Sequence, residues 1–209
     1  FRGRIRDLFV LDEGIGEVTG RLDVRGDVMG IELEAASPRL AVSGTGRVEL
    51  SEARSVDLSL RFTDTSLDPY ARAFEPRLSP FTTAVGSGTL RVTGEIAHPE
   101  RLVVDATFEE VQLRTFDYGL RNAGPIRIQM NNHVARVDGM RFIGDGTELD
   151  VSGTVDMDAR RIAGLARGNA NLGILQGFYR NIRSSGSAEL TAQVSGSLDA
   201  PVILGRATI

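Results

Sequence analysis

The feature that most constrains this chain is a regular alternation of apolar and polar residues that recurs along its length. In residues 86–99, Leu90 and Val92 alternate with polar neighbours, and related copies occupy residues 190–201 and 22–28. A period of two residues is typical of a β-strand with one buried face and one wet face. The recurrence therefore predicts a repetitive, mostly antiparallel β-protein.

Glycine occupies apolar positions of several predicted strands. Gly94 stands where the alternation of the first copy calls for a side chain, and Gly26, Gly153 and Gly196 stand in the same phase elsewhere. Glycine inside a strand marks a bulge, a bend or the close approach of another backbone. Copies spaced on the order of a hundred residues apart predict a unit that stacks on copies of itself.

The alternation predicts about twelve strands. They span residues 17–25, 28–36, 40–50, 55–65, 84–97, 101–114, 126–130, 133–143, 149–155, 161–170, 186–197 and 202–209. Residues 1–15 fit either a strand or the end of a short helix, and residues 118–122 indicate a turn. Across Glu109 and Glu110 the apolar phase slips by one residue, which predicts a β-bulge. Asp145-Gly146 predicts a hairpin turn.

Two short helices interrupt the predicted strands, at residues 68–74 and 171–179. Asp68 before Pro69 is a typical helix start, and Asn171 can cap the second helix. These helices divide the chain into the end of one β-repeat (1–67), a second repeat (68–170) and the start of a third (171–209). We expect the three blocks to form one continuous structural unit. Because the sequence opens in mid-pattern, we also expect it to be a piece of a longer protein.

Composition and motifs exclude several classes of function. The formal net charge of −4 does not favour a nucleic-acid partner, and the absence of cysteine excludes disulfides and thiolate metal sites. His98 and His133 lack the spacing of metal ligands, and no nucleophile elbow, phosphate-binding loop or dinucleotide fingerprint is present. We therefore expect no enzyme, no cofactor and no metal site. The 24 basic residues are all arginine, which fits phosphate contact or simply a GC-rich codon bias.

The central physical question is what covers the apolar face. About twelve strands would make a sheet roughly 55 Å across, with one apolar face along nearly all of it. That area far exceeds the apolar patch that a soluble protein usually exposes. The sheet could fold into a sandwich, close into a barrel, or curl into an open trough whose lining is covered by something else, such as acyl chains. The residues alone leave these three arrangements open.

An ordered set of segments resembles the TamB/AsmA-like family of Gram-negative envelope proteins. Residues 124–128 (Gly-Pro-Ile-Arg-Ile) lead into the predicted strand at 134–142, and residues 144–155 follow. Residues 171–175, with the sequence Asn-Leu-Gly-Ile-Leu, precede a Gly-led strand and a Leu-x-x-Pro ending in residues 186–205. The resemblance covers approximately residues 60–209.

The resemblance implies a long, strongly curved, mostly antiparallel sheet that forms an open, β-taco-like trough, with short helices between the strand blocks. It implies a segment of a periplasmic protein that is anchored in the inner membrane by a region outside this sequence. Such a protein would carry phospholipid between the inner and outer membranes along a hydrophobic groove. The implied partners are acyl chains, neighbouring repeats of the same chain and an outer-membrane barrel reached through other regions.

The resemblance carries over a groove lining and no catalytic residues. The predicted lining consists of Leu58, Leu60, Phe62, Leu90, Val92, Ile96, Val104, Phe108, Ile126, Ile128, Met130, Leu149, Val151, Leu190, Val194 and Leu198. Two other functions remain open from the sequence. One is a scaffold or chaperone module for the translocation and assembly of outer-membrane proteins, and the other is a closed β-sandwich binding domain.

Overall fold

A computed structural model describes residues 1–10, 13–37, 39–68, 80–173 and 185–208. These residues form one antiparallel sheet of 14 strands. The strands are β1 (Arg2–Val10), β2 (Glu13–Arg25), β3 (Val28–Ser37), β4 (Leu40–Glu49), β5 (Ser55–Ser66), β6 (Thr82–Glu95), β7 (Val103–Thr115), β8 (Tyr118–Asn122), β9 (Ile126–Asn131), β10 (Val134–Gly144), β11 (Thr147–Asp156), β12 (Arg161–Asn171), β13 (Ser187–Ser197) and β14 (Pro201–Thr208). The predicted all-β, mostly antiparallel fold is confirmed.

The strands follow one another across the sheet in chain order, as in a long meander. Each pairs with its sequence neighbours, except that β8 and β9 lie end to end in the single space between β7 and β10. The sheet runs from β1 to β14 without a closing pair among the described residues. Both outer strands therefore have one free edge, and a closed barrel is not the observed arrangement.

No second layer of described strands packs on this sheet. All 14 strands belong to one hydrogen-bonded sheet, and large side chains of its apolar face, such as Leu58, Leu90 and Val92, are only half-buried. Few apolar side chains are fully buried, and the buried set among the described residues is Ala35, Val48, Ala84, Ile126, Ala170 and Ala188. The two-sheet sandwich that the sequence left open is therefore not observed. A single layer buries too little on either face to create a conventional core.

The two predicted helices are not observed in the described residues. The predicted helices at 68–74 and 171–179 fall mostly on residues outside those described, 69–79 and 174–184, and they are not confirmed. Within the described chain, a short 3-10 helix at Pro99–Arg101 joins β6 to β7. Proline suits the first position of such a turn because its backbone angle is already helical and it needs no N–H partner.

Two segments that lacked clear alternation are strands. Residues 1–15, which fitted a strand or a helix end, contain β1, and the turn predicted at 118–122 is wrong because this segment is β8. β8 has only five residues, too few to display a clear period of two. It pairs with β7 on one side and β10 on the other, so tertiary pairing overrides its weak local preference.

The local irregularities follow their sequence signals. Ser87 pairs with Glu110 and Gly88 with Phe108, which leaves Glu109 as the extra residue of the predicted bulge. The predicted Asp145-Gly146 turn is also confirmed, with positive φ angles of 44° and 73°. Such angles are those of the tight hairpin turn that favours this dipeptide.

Asn122 bridges the junction where β8 ends and β9 has not yet begun. Its side-chain oxygen accepts a hydrogen bond from the Val111 amide at 2.7 Å. Its side-chain nitrogen donates to the carbonyls of Glu109 at 3.0 Å and Gly124 at 2.8 Å. Asn122 is only 7% exposed. One buried amide therefore satisfies the backbone groups that the bulge and the strand break leave unpaired.

We predict that Asn122→Ala lowers the free energy of unfolding by about 1–3 kcal/mol, because it leaves the half-buried Val111 amide and the carbonyls of Glu109 and Gly124 without their partner. Gln129→Ala is the matched control, since Gln129 is exposed and donates only to the Asp105 side chain. The control should change stability by less than about 0.5 kcal/mol. Denaturant titration measures both variants, and equal effects would contradict the bridging role.

Candidate functional site: the apolar face of the sheet

Strand register places the predicted lining residues of β5 to β9 in rows across one face. Leu58 lies opposite Val92, Val92 opposite Val104, and Val104 opposite Met130. Directly opposed residues of antiparallel strands project from the same face. Two parallel rows contain Leu60, Leu90 and Ile128, and Phe62, Phe108 and Ile126.

The same face continues across the second half of the sheet. Leu149 of β11 and Leu190 of β13 both lie opposite Gly168 of β12. Val151 and Val194 are separated from them by an even number of residues in the same strands, so they project from the same face. Ile96 and Leu198 of the predicted lining differ, because they lie in the turns just after β6 and β13. Register thus brings together every predicted lining residue apart from these two, which stand at the strand ends.

Further apolar residues share this face. They carry the same alternation, so the sequence signal was present, but they stand in strands that were not assigned to the lining. The additional residues include Leu22, Ile31, Leu33, Val42, Val137, Met140, Phe142, Ile162 and Ile203. The apolar face therefore extends from β2 to β14 and is wider than the predicted lining.

Large side chains on this face lie over glycines of the neighbouring strand. A methyl group added at Gly46 would lie 2.9 Å from Leu58 Cδ1, and one added at Gly88 would lie 2.9 Å from Phe62 Cζ. The Phe62 and Phe108 rings straddle Gly88 and meet edge to face, with centroids 5.4 Å apart. This complementarity lets large side chains lean along the sheet, so they bury part of their surface without a second layer.

The face is buried unevenly along the strands. We call the strand ends at turns 26–27, 50–54, 96–102, 132–133, 157–160 and 198–200 the exposed rim. Large apolar residues stand open there, including Val24 at 58% exposure and Leu50 at 51%. At the opposite strand ends, the buried rim, small residues such as Thr82 and Ala188 are 1–2% exposed. Most of the large apolar residues that stand open at strand ends lie at the exposed rim, although Phe81 and Phe116 are 66% and 41% exposed at the opposite strand ends.

The most deeply buried residues of the buried rim are small, and hydrogen bonds satisfy the polar ones among them. The hydroxyls of Thr82 and Thr115 are 2.8 Å apart and share a hydrogen bond. The Thr147 hydroxyl accepts from the Asn171 amide at 3.0 Å. Satisfied hydroxyls can be buried at little cost, which reconciles threonine with an otherwise apolar face.

The opposite face is charged, and some of its charges pair across strands. Asp57 accepts hydrogen bonds from Arg91 Nε at 3.2 Å and Nη2 at 3.1 Å. The hydrogen bond from Arg91 lowers the pKa of the Asp57 carboxyl below its ordinary value. Next to the turn at 157–160, Arg160 Nε donates a hydrogen bond to the Asp199 carboxylate at 3.2 Å. This hydrogen bond lowers the pKa of the Asp199 carboxyl below its ordinary value. Such exposed pairs indicate a solvated surface.

Open depressions occur on this polar face. One of about 790 Å³ spans β1 to β7, and another of about 570 Å³ spans β10 to β13. Their side chains are mostly Arg, Asp, Glu, Ser and Thr, and several of the charges already have partners. We interpret these depressions as spaces between long solvated side chains.

Other kinds of site are absent from the described residues. They contain no group of three or more histidine or acidic side chains positioned to hold a metal ion. The helical segments described there are all too short or too polar to cross a membrane. His133 Nδ1 lies 2.8 Å from an Asp158 carboxylate oxygen, and His98 Nδ1 lies 3.3 Å from Glu100, so each histidine faces one acid in a turn region.

Comparisons with protein-family models, curated proteins and solved structures gave no match to this chain. The resemblance to TamB/AsmA-like proteins therefore remains a prediction from the sequence. The candidate site is defined by geometry alone, as the apolar face of a single-layer sheet.

We predict that Gly88→Ala lowers the free energy of unfolding by about 1–3 kcal/mol, because the new methyl would overlap backbone atoms of β7 and the Phe62 ring. Gly30→Ala on the polar face is the control, since its nearest neighbour is the Asp23 carbonyl at an ordinary 3.6 Å. Thermal and denaturant unfolding measure the difference. A Gly88 variant as stable as the Gly30 variant would contradict the packing of large residues over glycine.

We also predict that the pKa of Asp57 is lower than the ordinary aspartate value, because the hydrogen bond from Arg91 stabilises its charged form. A pKa lowered in the folded state favours folding above the unfolded-state pKa, and that contribution is lost as the pH falls through the folded-state pKa. Carboxyl-detected NMR should show Arg91→Gln raising the pKa of Asp57 and Arg61→Gln leaving it unchanged. The same rise in both variants would argue against the specific pair.

Proposed function

We propose that the apolar face binds phospholipid acyl chains, and that this chain is a segment of an envelope protein that conducts lipid between the inner and outer membranes. One observation carries the proposal: a sheet of 14 strands keeps one apolar face that no second layer of described strands covers. Exposure of an apolar surface of that extent to water is unfavourable. Acyl chains are a suitable cover because they are apolar, flexible and tolerant of irregular shape.

The finer shape that we propose is an open trough. The sheet is on the order of 60 Å wide at about 4.8 Å per strand, and strands of this kind twist and coil. Bulges at Phe62–Thr65, at Glu109 and at Val137–Met140 increase bending locally. Coiling around the apolar side would enclose acyl chains and leave the charged side in water.

Binding in such a trough is non-specific and additive. Each methylene that leaves water gains about 0.8 kcal/mol when it is fully buried, and less on an open surface. The apolar rows offer no cluster of polar side chains that would select a head group. A lipid would therefore be held by contact area and could move along the rows without breaking specific bonds.

The uneven burial suggests an orientation for the bound lipid. Acyl chains would lie over the half of the sheet next to the exposed rim, where Val24, Leu50, Ile96 and Met157 are 44–58% exposed. Head groups would remain at that rim, in contact with water. The buried rim would form the floor of the trough.

The TamB/AsmA-like resemblance supports a periplasmic location, an inner-membrane anchor outside this sequence and a link to an outer-membrane barrel. These remain parts of the proposal. A second candidate function is a scaffold for outer-membrane protein translocation and assembly. The same resemblance supports it, since the family is also linked to the assembly of outer-membrane proteins. Neither candidate requires catalysis or a cofactor.

We predict that Leu60→Asp reduces lipid crosslinking at position 90 by about tenfold, because an ionised carboxylate against acyl chains costs more than about 1.4 kcal/mol. A benzophenone amino acid at position 90 and vesicles of phosphatidylethanolamine and phosphatidylglycerol provide the readout. Val92→Asp should act in the same way, and it should also slow transfer of a fluorescent phospholipid between vesicles.

Ser59→Asp is the matched control, because Ser59 neighbours Leu60 in β5 and projects from the polar face. It should leave crosslinking unchanged, and circular dichroism should show the same strand content in all variants. Lipid crosslinking that persists unchanged in folded Leu60→Asp would contradict the proposal.

A further inference from the structure

The exposed rim contains the same kind of turn twice, once before β5 and once before β12. Glu52-Ala53-Arg54 leads into β5, and Asp158-Ala159-Arg160 leads into β12. Both arginines have a positive φ, 51° for Arg54 and 49° for Arg160. A residue with a side chain adopts this left-handed conformation only at some cost, so its presence at both places is a shared structural feature.

Each turn also contacts the neighbouring strand end in the same way. The Arg54 carbonyl accepts a hydrogen bond from the Ile96 amide at 3.1 Å, and the Arg160 carbonyl accepts one from the Leu198 amide at 2.9 Å. Ile96 and Leu198 are themselves equivalent, since each stands two residues after the glycine of a Val-x-Gly segment. The two turns are therefore counterparts in the internal repeat.

The two arginines differ in their partners. Arg160 donates a hydrogen bond to the Asp199 carboxylate at 3.2 Å. The position equivalent to Asp199 beside the first turn is occupied by Ala97. The carboxylate that neutralises Arg160 thus has no counterpart beside Arg54, and Arg54 forms no ion pair among the described residues.

The nearest acidic residues do not replace this missing partner. Glu95 at the end of β6 already bonds Arg101 at 2.9 Å. Glu52 of the same turn is exposed and forms no ion pair within the described part of the chain. The turn therefore presents an unpaired guanidinium on Arg54 and, two residues earlier, an unpaired carboxylate.

Both charged groups have partners in the counterpart turn. Asp158, which is equivalent to Glu52, lies 2.8 Å from His133 Nδ1. Arg160 is bonded to Asp199, as described above. Of these two turns, only the one before β5 leaves both charges available to a ligand.

This turn also lies at the end of the apolar face. The last apolar-face row at this rim consists of Val48, Val56 and Gly94. The next residues in the same phase of the three strands are Leu50, Arg54 and Ile96. Leu50 is 51% exposed and Ile96 is 45% exposed. An exposed cation thus stands between two exposed apolar residues, where the apolar surface meets water.

A zwitterionic phospholipid has the complementary arrangement of groups. Its acyl chains are apolar, its phosphate is anionic and its terminal amine is cationic. Arginine binds phosphate through charge-assisted hydrogen bonds, and a carboxylate accepts hydrogen bonds from an ammonium group.

Further negative charge lies beside the turn. The Leu50 amide donates a hydrogen bond to the Asp27 carbonyl, and Glu49 precedes Leu50 in the chain. Asp27 and Glu49 are exposed and form no ion pair among the described residues. Their charges disfavour a head group with a net negative charge.

We propose that the turn at residues 50–54 binds the head group of a zwitterionic phospholipid, with the phosphate on Arg54 and the ammonium group on Glu52. The inference rests on the proposed binding of acyl chains and adds a place at the rim where the head group is held. It also gives a preference, because phosphatidylethanolamine has the amine and phosphatidylglycerol does not.

Local photocrosslinking on the whole 209-residue chain tests the proposal. A benzophenone amino acid replaces Leu50, and vesicles contain equal amounts of phosphatidylethanolamine and phosphatidylglycerol. The ethanolamine lipid should be crosslinked about two- to fivefold more than the glycerol lipid. Arg54→Gln should lower crosslinking of both lipids by a similar factor, because both contain the phosphate. Glu52→Gln should remove the preference for the ethanolamine lipid.

The counterpart turn provides the controls. Arg160→Gln should leave crosslinking at position 50 unchanged, since the charge of Arg160 is already paired with Asp199. Ala97→Asp places beside Arg54 the carboxylate that neutralises Arg160, so it should lower crosslinking as much as Arg54→Gln does. Circular dichroism should show the same strand content in all variants.

Several results would overturn the proposal. They are unchanged crosslinking in Arg54→Gln, the same loss in Arg160→Gln, equal crosslinking of the two lipids before any charge is changed, and a preference that survives in Glu52→Gln. Lipid crosslinking at position 90 reports separately on acyl-chain binding. If it persists while position 50 ignores Arg54→Gln, the head-group site fails and the acyl-chain proposal stands; if lipid reaches neither position, the acyl-chain proposal itself fails.

Discussion

Pairing between neighbouring strands in a fixed register is the interaction on which this structure depends. A single-layer sheet has no second layer whose packing would fix which face is apolar, so strand pairing alone must do so. A slip of one residue in this pairing would move the apolar side chains of a strand to the polar face. The long regular ladders between β2 and β5 and between β11 and β14 keep Leu33, Leu58 and Val151 on one side. The apolar surface exists because apolar residues stay on the same face from β2 to β14.

The irregular positions preserve that register and do not break it. The extra residue Glu109 returns Val111 to the apolar face, and Asn122 satisfies the backbone groups exposed where β8 gives way to β9. Leucine and phenylalanine side chains packed over glycine bury apolar area within one layer. These local arrangements explain how a wide sheet can be ordered with few fully buried side chains.

The alternation predicted most of the fold because a period of two is a local property. The strands, the bulge at Glu109 and the Asp145-Gly146 turn all follow from it. β8 was missed because five residues at a strand break show no clear period, and pairing with β7 and β10 determines its state. The single layer could not be predicted either, since sandwich, barrel and trough share one alternation. The burial difference between Val24 and Thr82 depends on neighbours far away in the chain.

These observations favour a function that uses surface area more than a polar site, and the proposed acyl-chain binding follows from that reasoning. The most direct test is paramagnetic broadening of methyl NMR signals by phospholipid that carries a nitroxide in its acyl chain. The account predicts strong broadening of Leu58, Val92 and Ile128, with methyl signals of polar-face threonines such as Thr45 unaffected. Equal broadening on both faces, or none on the apolar face, would contradict it.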